Sequence, residues 1–329
     1  MNLDIGRMPH GPRNLITDVP GIRVGHATID DGDVHTGVTV VMPPPHNPFT
    51  DKLTAASVVF NGFGKTQGLV QVDELGTLET PIALTNTLNV GRVHDAIVSW
   101  MIDLCAEDGF RLTSVNPVVC ECNDSRISRI EKRAVGENEV RAAITSASEQ
   151  FELGAVGAGR GTICYGMKGG IGSSSRQIRI GDETFTIGVL VQSNYGASSD
   201  FRKATLPPSL AECDQGSIII IVATDLPLSC RQLKRVLRRC SVGMARLGSY
   251  IGHGSGEIAV GFTTAPRTPS GSHFQNISIL CEDDMNLPFR AVGEATEEAI
   301  LQSMLACSDD VALDGTPIPS LKSFLKANT

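Results

Sequence analysis

The segment SIIIIVA, from Ser217 to Ala223, contains the longest apolar run of the chain. Its isoleucines and its valine are β-branched, and residues of this type favour extended strands. Because side chains alternate between the two faces of a strand, this strand is apolar on both faces and needs a covering layer on each side of its sheet. Two packed sheets with helices outside satisfy this requirement, and so does a doubly wound sheet with helices on both faces.

Other predicted strands alternate with helices along the chain. The pattern of apolar residues predicts strands at 38–42, 56–60, 81–85, 114–121, 185–192, 217–224, 257–263 and 276–280. It predicts helices at 89–108, 137–148, 229–248 and 287–307. The fold class is therefore α/β (α+β). No repeat and no long polar linker divides the chain, so residues 1–329 are predicted to form one domain.

The composition limits the classes of partner. Of the 329 residues, 41% are hydrophobic and 19% are charged, which indicates a globular chain with an ample core. The net charge of −8 and the scattered basic residues argue against nucleic acid as a partner. The one basic run, at 231–239, also carries Leu233, Val236 and Leu237 at helical spacing and is typical of an amphipathic surface helix.

Neither a secretion signal nor a membrane anchor is predicted. The N-terminus lacks the apolar core of a signal peptide, and no apolar run approaches the length of a membrane span, so a cytoplasmic location is expected. The nine cysteines form no disulfide framework. Cys120 and Cys122 have no second pair to complete a zinc site, and the histidines show no paired ligand spacing, so no metal or other cofactor is predicted.

The segment GHGSG, residues 252–256, places glycines around Ser255 directly before a predicted strand. It is not the nucleophile elbow of α/β-hydrolases, because His253 stands where that motif has glycine and no helix follows. If the bond between Gly254 and Ser255 were cut, the new α-amine, with a pKa of about 8, would act as general base for the adjacent hydroxyl. From the local sequence alone, a plain glycine turn remains the simpler interpretation.

Two further polar residues occupy positions suited to stabilising an oxyanion. Lys168 lies in the glycine-rich segment 166–176, but it precedes the glycines and so does not fit a phosphate-binding P-loop. It either stabilises a developing oxyanion or lies solvated in a hairpin turn. Asn194 ends an apolar strand, where its amide either donates to an oxyanion or begins a turn.

Acidic residues occur at two more positions of interest. Glu121 closes an apolar strand and is either an anchor for a cationic group or an ordinary strand-end residue. The segment Glu294-Ala295-Thr296-Glu297-Glu298 is predicted to open a helix, where acids also suit the helix dipole.

Taken together, the polar segments resemble the DmpA family of self-processing peptidases, also called S58, which includes L-aminopeptidase D-esterase/D-amidases and β-peptidyl aminopeptidases. The resemblance extends through most of the chain. The matching segments are ITDVPGIRVGHATI (16–29), NGFGKTQGLVQVDELGTLETPIALTNTLNVG (61–91), PVVCECND (117–124), CYGMKGGIGSSSR (164–176), GVLVQSNYG (188–196), GSIIIIVATDLPL (216–228), GHGSGEIAVGFTT (252–264) and ATEEAI (295–300).

The resemblance implies a four-layer αββα sandwich, similar to N-terminal-nucleophile hydrolases but with different connectivity. It also implies cleavage between Gly254 and Ser255, giving an α-chain of 1–254 and a β-chain of 255–329, and a homo-oligomer, either a tetramer or an octamer. The implied activity is hydrolysis of the N-terminal amide or ester bond of short peptides or aminoacyl amides. An acyltransferase of similar logic and an uncleaved, non-catalytic relative are the alternatives.

The same resemblance implies roles for individual residues. Ser255 corresponds to the nucleophile, Asn194 to the oxyanion-binding amide, Lys168 to the lysine of the glycine-rich loop, and Glu121 to the acid that binds the substrate's free amino group. Thr296 and Glu298 fit the spacing of a catalytic pair early in the last helix, with Glu294 and Glu297 as competitors. At Asn123, a substrate-binding position, the sequence departs from members that carry an aromatic hydroxyl.

Overall fold

The computed structural model of the chain describes residues 5–44, 46–202, 215–265, 273 and 277–327. The strands are β1 (Arg23–Asp31), β2 (Val34–Met42), β3 (Leu53–Gly62), β4 (Thr77–Leu78), β5 (Ile82–Asn86), β6 (Val118–Cys122), β7 (Ile163–Cys164), β8 (Met167–Lys168), β9 (Ile171–Ile180), β10 (Glu183–Asn194), β11 (Gln215–Thr224), β12 (Gly254–Thr263), β13 (Asp310–Val311) and β14 (Pro317–Ile318). The α-helices are α1 (Leu69–Leu75), α2 (Val90–Glu107), α3 (Glu137–Thr145), α4 (Cys230–Leu237), α5 (Cys240–Leu247), α6 (Asn286–Leu305) and α7 (Leu321–Ala327).

Two sheets form the centre of the fold. The larger sheet has the strand order β4-β3-β12-β11-β10-β9, and the smaller sheet has the order β1-β2-β5-β6. Within them, β11 and β12 pair in parallel, as do β5 and β6, and the other neighbours are antiparallel. The short strands β7–β8 and β13–β14 form separate hairpin-like pairs.

Apolar cores fill three interfaces between four layers, which confirms the αββα sandwich. Helices α2 and α3 cover the outer face of the smaller sheet, and α4, α5 and α6 cover the outer face of the larger one. Representative core residues are Val93 of α2 and Val40 of β2 in the first interface, Leu84 and Ile219 between the sheets, and Ile220 of β11 and Ala295 of α6 in the third.

Strand β11 explains why the sandwich has layers on both sides of the larger sheet. Ile218, Ile220 and Val222 belong to the core beneath the helices, whereas Ile219 and Ile221 belong to the core between the sheets. All five are at most 1% exposed. The two-sided apolar pattern is therefore confirmed, and a second sheet rather than a second set of helices covers the inner face.

The sequence predicted one continuous helix at 229–248, and this prediction was wrong. The structure has two helices there, α4 and α5, which meet at Arg238 and Arg239. Ser229 caps the first helix by accepting a hydrogen bond from the Gln232 N–H at 3.3 Å. The two helices have different partners, since α4 packs mainly on β3 and α5 on α6. The break between them allows each helix to take the direction that its own packing partner requires.

Two predicted strands also differ from the structure. Residues 277–280 form no strand, and Asn276 lies outside the described residues. Ile277 and Ile279 are 57% and 50% exposed, so their apolar side chains do not mark a buried face. The strand predicted at 114–121 begins only at residue 118, because Pro117 has no N–H for a ladder. None of the helices in the described ranges is both long and apolar enough to cross a membrane.

Candidate active site

Ser255 lies at the start of β12, directly after a tight turn. Residues 252–255 form the turn, and the Ser255 N–H donates to the Gly252 carbonyl at 3.1 Å. Ser255 is completely buried, and its Oγ has no hydrogen-bond partner in the described part of the chain. A buried hydroxyl without a partner is uncommon and unfavourable for stability, which makes this position a candidate for function.

Glycines allow the backbone to close in around Ser255. A Cβ added to Gly256 would lie 2.7 Å from the Gly64 nitrogen, and one added to Gly216 would lie 1.9 Å from the Asn194 carbonyl oxygen. Gly216 is the residue opposite Ser255 in the β11–β12 ladder, and its φ of +129° favours glycine. The end of β10 therefore packs closely on the residue opposite Ser255, and the loop after β3 packs closely on the residue that follows it.

Asn194 is the last residue of β10 and presents a free amide donor. Its Oδ1 accepts a hydrogen bond from the Ile163 N–H at 2.9 Å, and no described residue accepts from its NH₂ group. Asn194 pairs with Ser217, which pairs in turn with Gly256. Asn194 is thus two strands from the segment that carries Ser255, a backbone separation of about 10 Å.

Lys168 is fully buried and supports the loop beside Asn194. Its Nζ donates to three backbone carbonyls, those of Gly159 at 3.2 Å, Thr162 at 2.9 Å and Gly169 at 2.7 Å. Burial lowers the pKa of Lys168 to about 8, so the ammonium is still largely protonated at neutral pH. Because Thr162 precedes Ile163, Lys168 helps to fix the N–H that orients the Asn194 amide.

Glu121 lies near the end of β6, in the smaller sheet, and is 1% exposed. Its Oε1 accepts a hydrogen bond from the Lys65 N–H at 2.9 Å, and its Oε2 accepts one from the Thr87 hydroxyl. A Cβ added to Gly64 would lie 3.7 Å from Oε1 and 3.9 Å from the Gly256 Cα. The Glu121 carboxylate and the start of β12 therefore both lie within 4 Å of the same point beside Gly64.

The neighbours of Glu121 join the two sheets at this end of the sandwich. The Cys122 thiol contacts the carbonyl oxygens of Gln192 at 3.4 Å and Ser217 at 3.5 Å, which links β6 to β10 and β11. Asn123 is exposed, and its Oδ1 accepts a hydrogen bond from the Ser125 N–H at 3.0 Å. Asn123 is therefore accessible from solvent, and its amide NH₂ is not needed for the hydrogen bond to Ser125.

Glu298 belongs to a buried network on α6. Its carboxylate pairs with Arg176 at 2.6 Å and His10 at 3.1 Å, and it accepts a hydrogen bond from the Asn14 amide at 2.7 Å. Burial raises the pKa of Glu298, but the charge and hydrogen bond of Arg176, together with Asn14 and His10, outweigh it and hold the pKa below its ordinary value. Glu298 is thus ionised at neutral pH.

The two competing acids of α6 have other partners. Glu294 accepts hydrogen bonds from the backbone N–H groups of Arg7 at 3.0 Å and Met8 at 3.1 Å, which fixes the N-terminal segment. Glu297 forms an ion pair with Arg246 at 3.2 Å. Both acids therefore have interactions that explain their presence on structural grounds.

Thr296 is buried on the side of α6 that faces α5. A Cβ added to Gly243 of α5 would lie 2.8 Å from the Thr296 Cβ. The Thr296 hydroxyl interacts with the buried Cys240 thiol of α5, and no other described residue forms a hydrogen bond to its Oγ1. Among the described residues, no hydrogen bond joins Thr296 or Glu298 to Ser255, so in the uncut chain this pair is separate from the serine.

Asn61, on β3, is a residue that the sequence analysis did not single out. Its Nδ2 donates to the carbonyl oxygens of Gly252 at 2.9 Å and His253 at 3.0 Å, and also to that of Ser255. The local sequence offers no indication of this role, because asparagine before glycine, here Gly62, is an ordinary turn pattern.

The structure thus brings Ser255, Asn194 and Glu121 to one end of the sandwich, with Lys168 acting through the loop beside Asn194. No three His, Cys, Asp or Glu side chains gather as a metal site in the residues that the structure describes.

Known proteins share this fold and much of this sequence. Residues 14–317 match the profile of peptidase family S58. The chain is 35% identical over 355 residues to the β-peptidyl aminopeptidase BapA of Sphingosinicella xenopeptidilytica, covering 96% of this chain and 88% of that protein.

Solved structures give the same result for the fold. The PH0078 protein from Pyrococcus horikoshii OT3 superposes with a TM-score of 0.91 at 40% identity, covering 99% of this chain and 96% of that one. The L-aminopeptidase D-Ala-esterase/amidase from Ochrobactrum anthropi superposes with a TM-score of 0.88 at 31% identity, covering 98% and 94%. That enzyme is described as a prototype for the serine aminopeptidases and a new variant of the Ntn hydrolase fold.

Proposed function

Because the chain belongs to peptidase family S58, we propose that it is an aminopeptidase that cleaves itself before Ser255 and then uses this serine as its N-terminal nucleophile. The observation that carries the proposal is the complete burial of Ser255, with an unpartnered Oγ, at a glycine–serine junction that begins a strand. In the uncut chain no external substrate reaches this hydroxyl. Cleavage makes Gly254 a chain end, so the turn before Ser255 is free to move away and expose the hydroxyl to a substrate.

The first reaction is an attack within the chain. The Ser255 Oγ adds to the Gly254 carbonyl carbon, the bond from that carbon to the Ser255 nitrogen breaks, and the nitrogen receives the hydroxyl proton. The resulting ester is hydrolysed by water, which leaves a carboxylate on Gly254 and restores the Ser255 hydroxyl. Gly254 has no side chain, so the approach to its carbonyl is open.

After the cut, the α-amine of Ser255 serves as general base for its own hydroxyl, since such an amine has a pKa of about 8. Thr296 and Glu298 are proposed to orient this amine. In support, the Thr296 hydroxyl has only the Cys240 thiol as a partner among the described residues of the uncut chain, so its oxygen can still accept a further hydrogen bond. Glu298 contributes a negative charge held in place by Arg176.

The substrate is proposed to be a short peptide, or an aminoacyl amide or ester, with a free amino group. Glu121 binds the ammonium group, while the NH₂ of Asn194 donates to the oxyanion that forms when Ser255 attacks the first carbonyl. The protonated α-amine of Ser255 gives the proton that it took from the hydroxyl to the leaving amine. Water then releases the acyl group from Ser255. The two relatives named above as aminopeptidases support a substrate with a free amino end.

The decisive experiment combines protein chemistry with a substrate panel. The purified chain of 34.9 kDa is followed by intact mass and denaturing gel, and fragments 1–254 and 255–329 are expected. The cut protein is then assayed on anilides of L-, D- and β-amino acids, with N-acetylated anilides as matched controls that lack the ammonium group. Hydrolysis of free but not acetylated anilides is expected. A chain that stays intact and inactive under all conditions refutes the proposal.

The pH dependence of kcat is expected to be bell-shaped because two groups titrate in opposite senses. On the acidic side the α-amine of Ser255 must lose its proton to act as a base, so the rate rises towards a pKa of about 8. On the alkaline side Lys168, whose pKa is lowered to about 8, loses a proton. Its neutral amine has two N–H donors for three carbonyls, so the loop that orients Asn194 loosens and the rate falls.

Substitution of Lys168 tests whether this residue causes the fall of kcat at high pH, the alkaline limb of the profile. Lys168→Met is expected to lower kcat by roughly 10- to 100-fold at all pH values, since small misplacements of an oxyanion donor have effects of this size, and to remove the alkaline limb. Lys132→Met, at a half-exposed surface lysine, should leave the profile unchanged. An alkaline limb that persists in Lys168→Met would assign it to another group.

A further inference from the structure

We propose that Asn61 is a positioning residue for the chain cleavage, because its amide holds backbone carbonyls on both sides of the bond between Gly254 and Ser255. The inference rests on the proposed self-processing and adds to it a residue that the sequence pattern does not assign. Its support lies in three features of the uncut chain, namely the hydrogen bonds of the amide, a bulge in β3 and a strained residue before the turn.

The hydrogen bonds of Asn61 bracket the scissile peptide. Its Nδ2 donates to the carbonyls of Gly252 at 2.9 Å, His253 at 3.0 Å and Ser255. An amide nitrogen has two hydrogens, so at least one is shared between two acceptors. The carbonyl under attack belongs to Gly254 and is not among the three. Asn61 therefore restrains the peptide units on either side of the reacting carbonyl and does not itself bind that carbonyl.

A β-bulge brings Asn61 to this position. In the β3–β12 ladder Val59 lies opposite Ile258, but Asn61 rather than Phe60 lies opposite Glu257. Without the extra residue, Asn61 would lie opposite Gly256. Its side chain would then point to the face of the sheet opposite to the face that carries the side chains of Ser255 and Glu257. The bulge thus turns the Asn61 side chain to the face of the sheet on which Ser255 lies, which is a known use of bulges beside active sites.

The segment that Asn61 holds is conformationally strained. Ile251 has a φ of +60°, and this left-handed region is unfavourable for a β-branched residue. Such a conformation persists only when surrounding contacts hold it. The Asn61 hydrogen bonds to Gly252 and His253, directly after Ile251, are contacts of this kind. They keep the turn closed, with the Ser255 N–H on the Gly252 carbonyl.

Rigid positioning matters because the attack is sensitive to geometry. Nucleophile and carbonyl carbon must approach to about 3–3.5 Å with the correct alignment. Rotation about the Cα–Cβ and N–Cα bonds of Ser255 moves its Oγ relative to the Gly254 carbonyl, whereas the peptide bond between the two residues is planar. Fixing the flanking peptide planes therefore reduces the conformations that do not react. Loss of the Asn61 donors should therefore slow the cleavage without removing any reacting group.

The test follows cleavage of freshly made chains. Wild type, Asn61→Ala and Asn61→Asp are synthesised in a cell-free reaction at pH 7.5 and sampled over time on denaturing gels, with the exposed Asn138→Ala as matched control. All are assayed below the unfolding midpoints measured in an uncuttable Ser255→Ala background. Both Asn61 variants are expected to be cut at least about 10-fold more slowly than wild type, and Asn138→Ala at the wild-type rate.

Asn61→Asp separates positioning from space filling. The aspartate keeps the size of the side chain but has no donor at pH 7.5, whereas its protonated form regains one O–H. The ratio of the Asn61→Asp rate to the Asn61→Ala rate should therefore rise as the pH falls from 7.5 to 5. Wild-type rates in both variants, or in Asn61→Asp alone at pH 7.5, overturn the inference. A wild-type chain that is never cut overturns the proposed function instead.

Discussion

Replacing Ser255 by alanine is expected to leave one uncut chain of 34.9 kDa and to lower the hydrolysis of aminoacyl anilides by at least about 10⁴-fold. Both reactions use the same oxygen, since the Ser255 Oγ attacks the Gly254 carbonyl first and the substrate carbonyl later. Without the cut there is also no α-amine to act as base, so the two losses reinforce each other. Intact mass and an anilide assay measure both.

The same substitution should not harm the fold. The Ser255 Oγ is buried and has no hydrogen-bond partner among the described residues, so its removal relieves a desolvated polar group. The free energy of unfolding should stay the same or rise by about 1 kcal/mol. This separates the loss of activity from a loss of structure, and thermal unfolding of the uncut chain tests it.

Ser99→Ala is the matched control for this variant. Ser99 lies on α2, in the helical layer over the other sheet, so its loss should alter neither the cut nor the activity. A Ser255→Ala chain that still separates into 1–254 and 255–329 would show that another group attacks the junction. A Ser255→Ala chain that is uncut but fully active would remove the serine from the substrate reaction.

The layers of the sandwich could be predicted only where the side chains of a single strand show which of its two faces are buried. Strand β11 is apolar on both faces, and that alone required a layer on each side. Strand β9 was missed, because its three serines have little strand preference. The structure supplies their partners from distant segments, as when the Ser173 hydroxyl donates to the Val189 carbonyl at 2.8 Å and the Ser175 hydroxyl to Asp18 at 2.7 Å.

The residues of the candidate site also differ in whether their local sequence predicts them. The positions of Asn194 and Glu121 at the ends of apolar strands could be predicted from the local sequence, whereas their roles come from the family resemblance and stay predictions. The environment of Lys168 could not be predicted, because its three carbonyl partners come from a loop whose shape depends on packing. The role of Asn61 depends on a bulge against β12, nearly two hundred residues away along the chain, so no local pattern contains it.

Asn194→Asp is expected to lower kcat by about 10²- to 10³-fold with a smaller effect on KM, which is the range for loss of one oxyanion donor. The aspartate keeps the size of the side chain and the Oδ1 that accepts from the Ile163 N–H at 2.9 Å. What it lacks is the NH₂ group, and its negative charge repels the developing oxyanion. The change therefore removes the donor while it preserves the anchor.

The measurement must separate chemistry from maturation and from folding. Rates are expressed per cut chain, so that slower self-cleavage does not count as slower substrate turnover, and thermal unfolding should be close to that of wild type because the Ile163 contact remains. Asn138→Asp, at an exposed position of α3, controls for the added charge and should retain full activity. A kcat within about threefold of wild type in Asn194→Asp is less than the loss of any oxyanion donor would cause, and it would assign the oxyanion to backbone N–H groups near Ser255 instead.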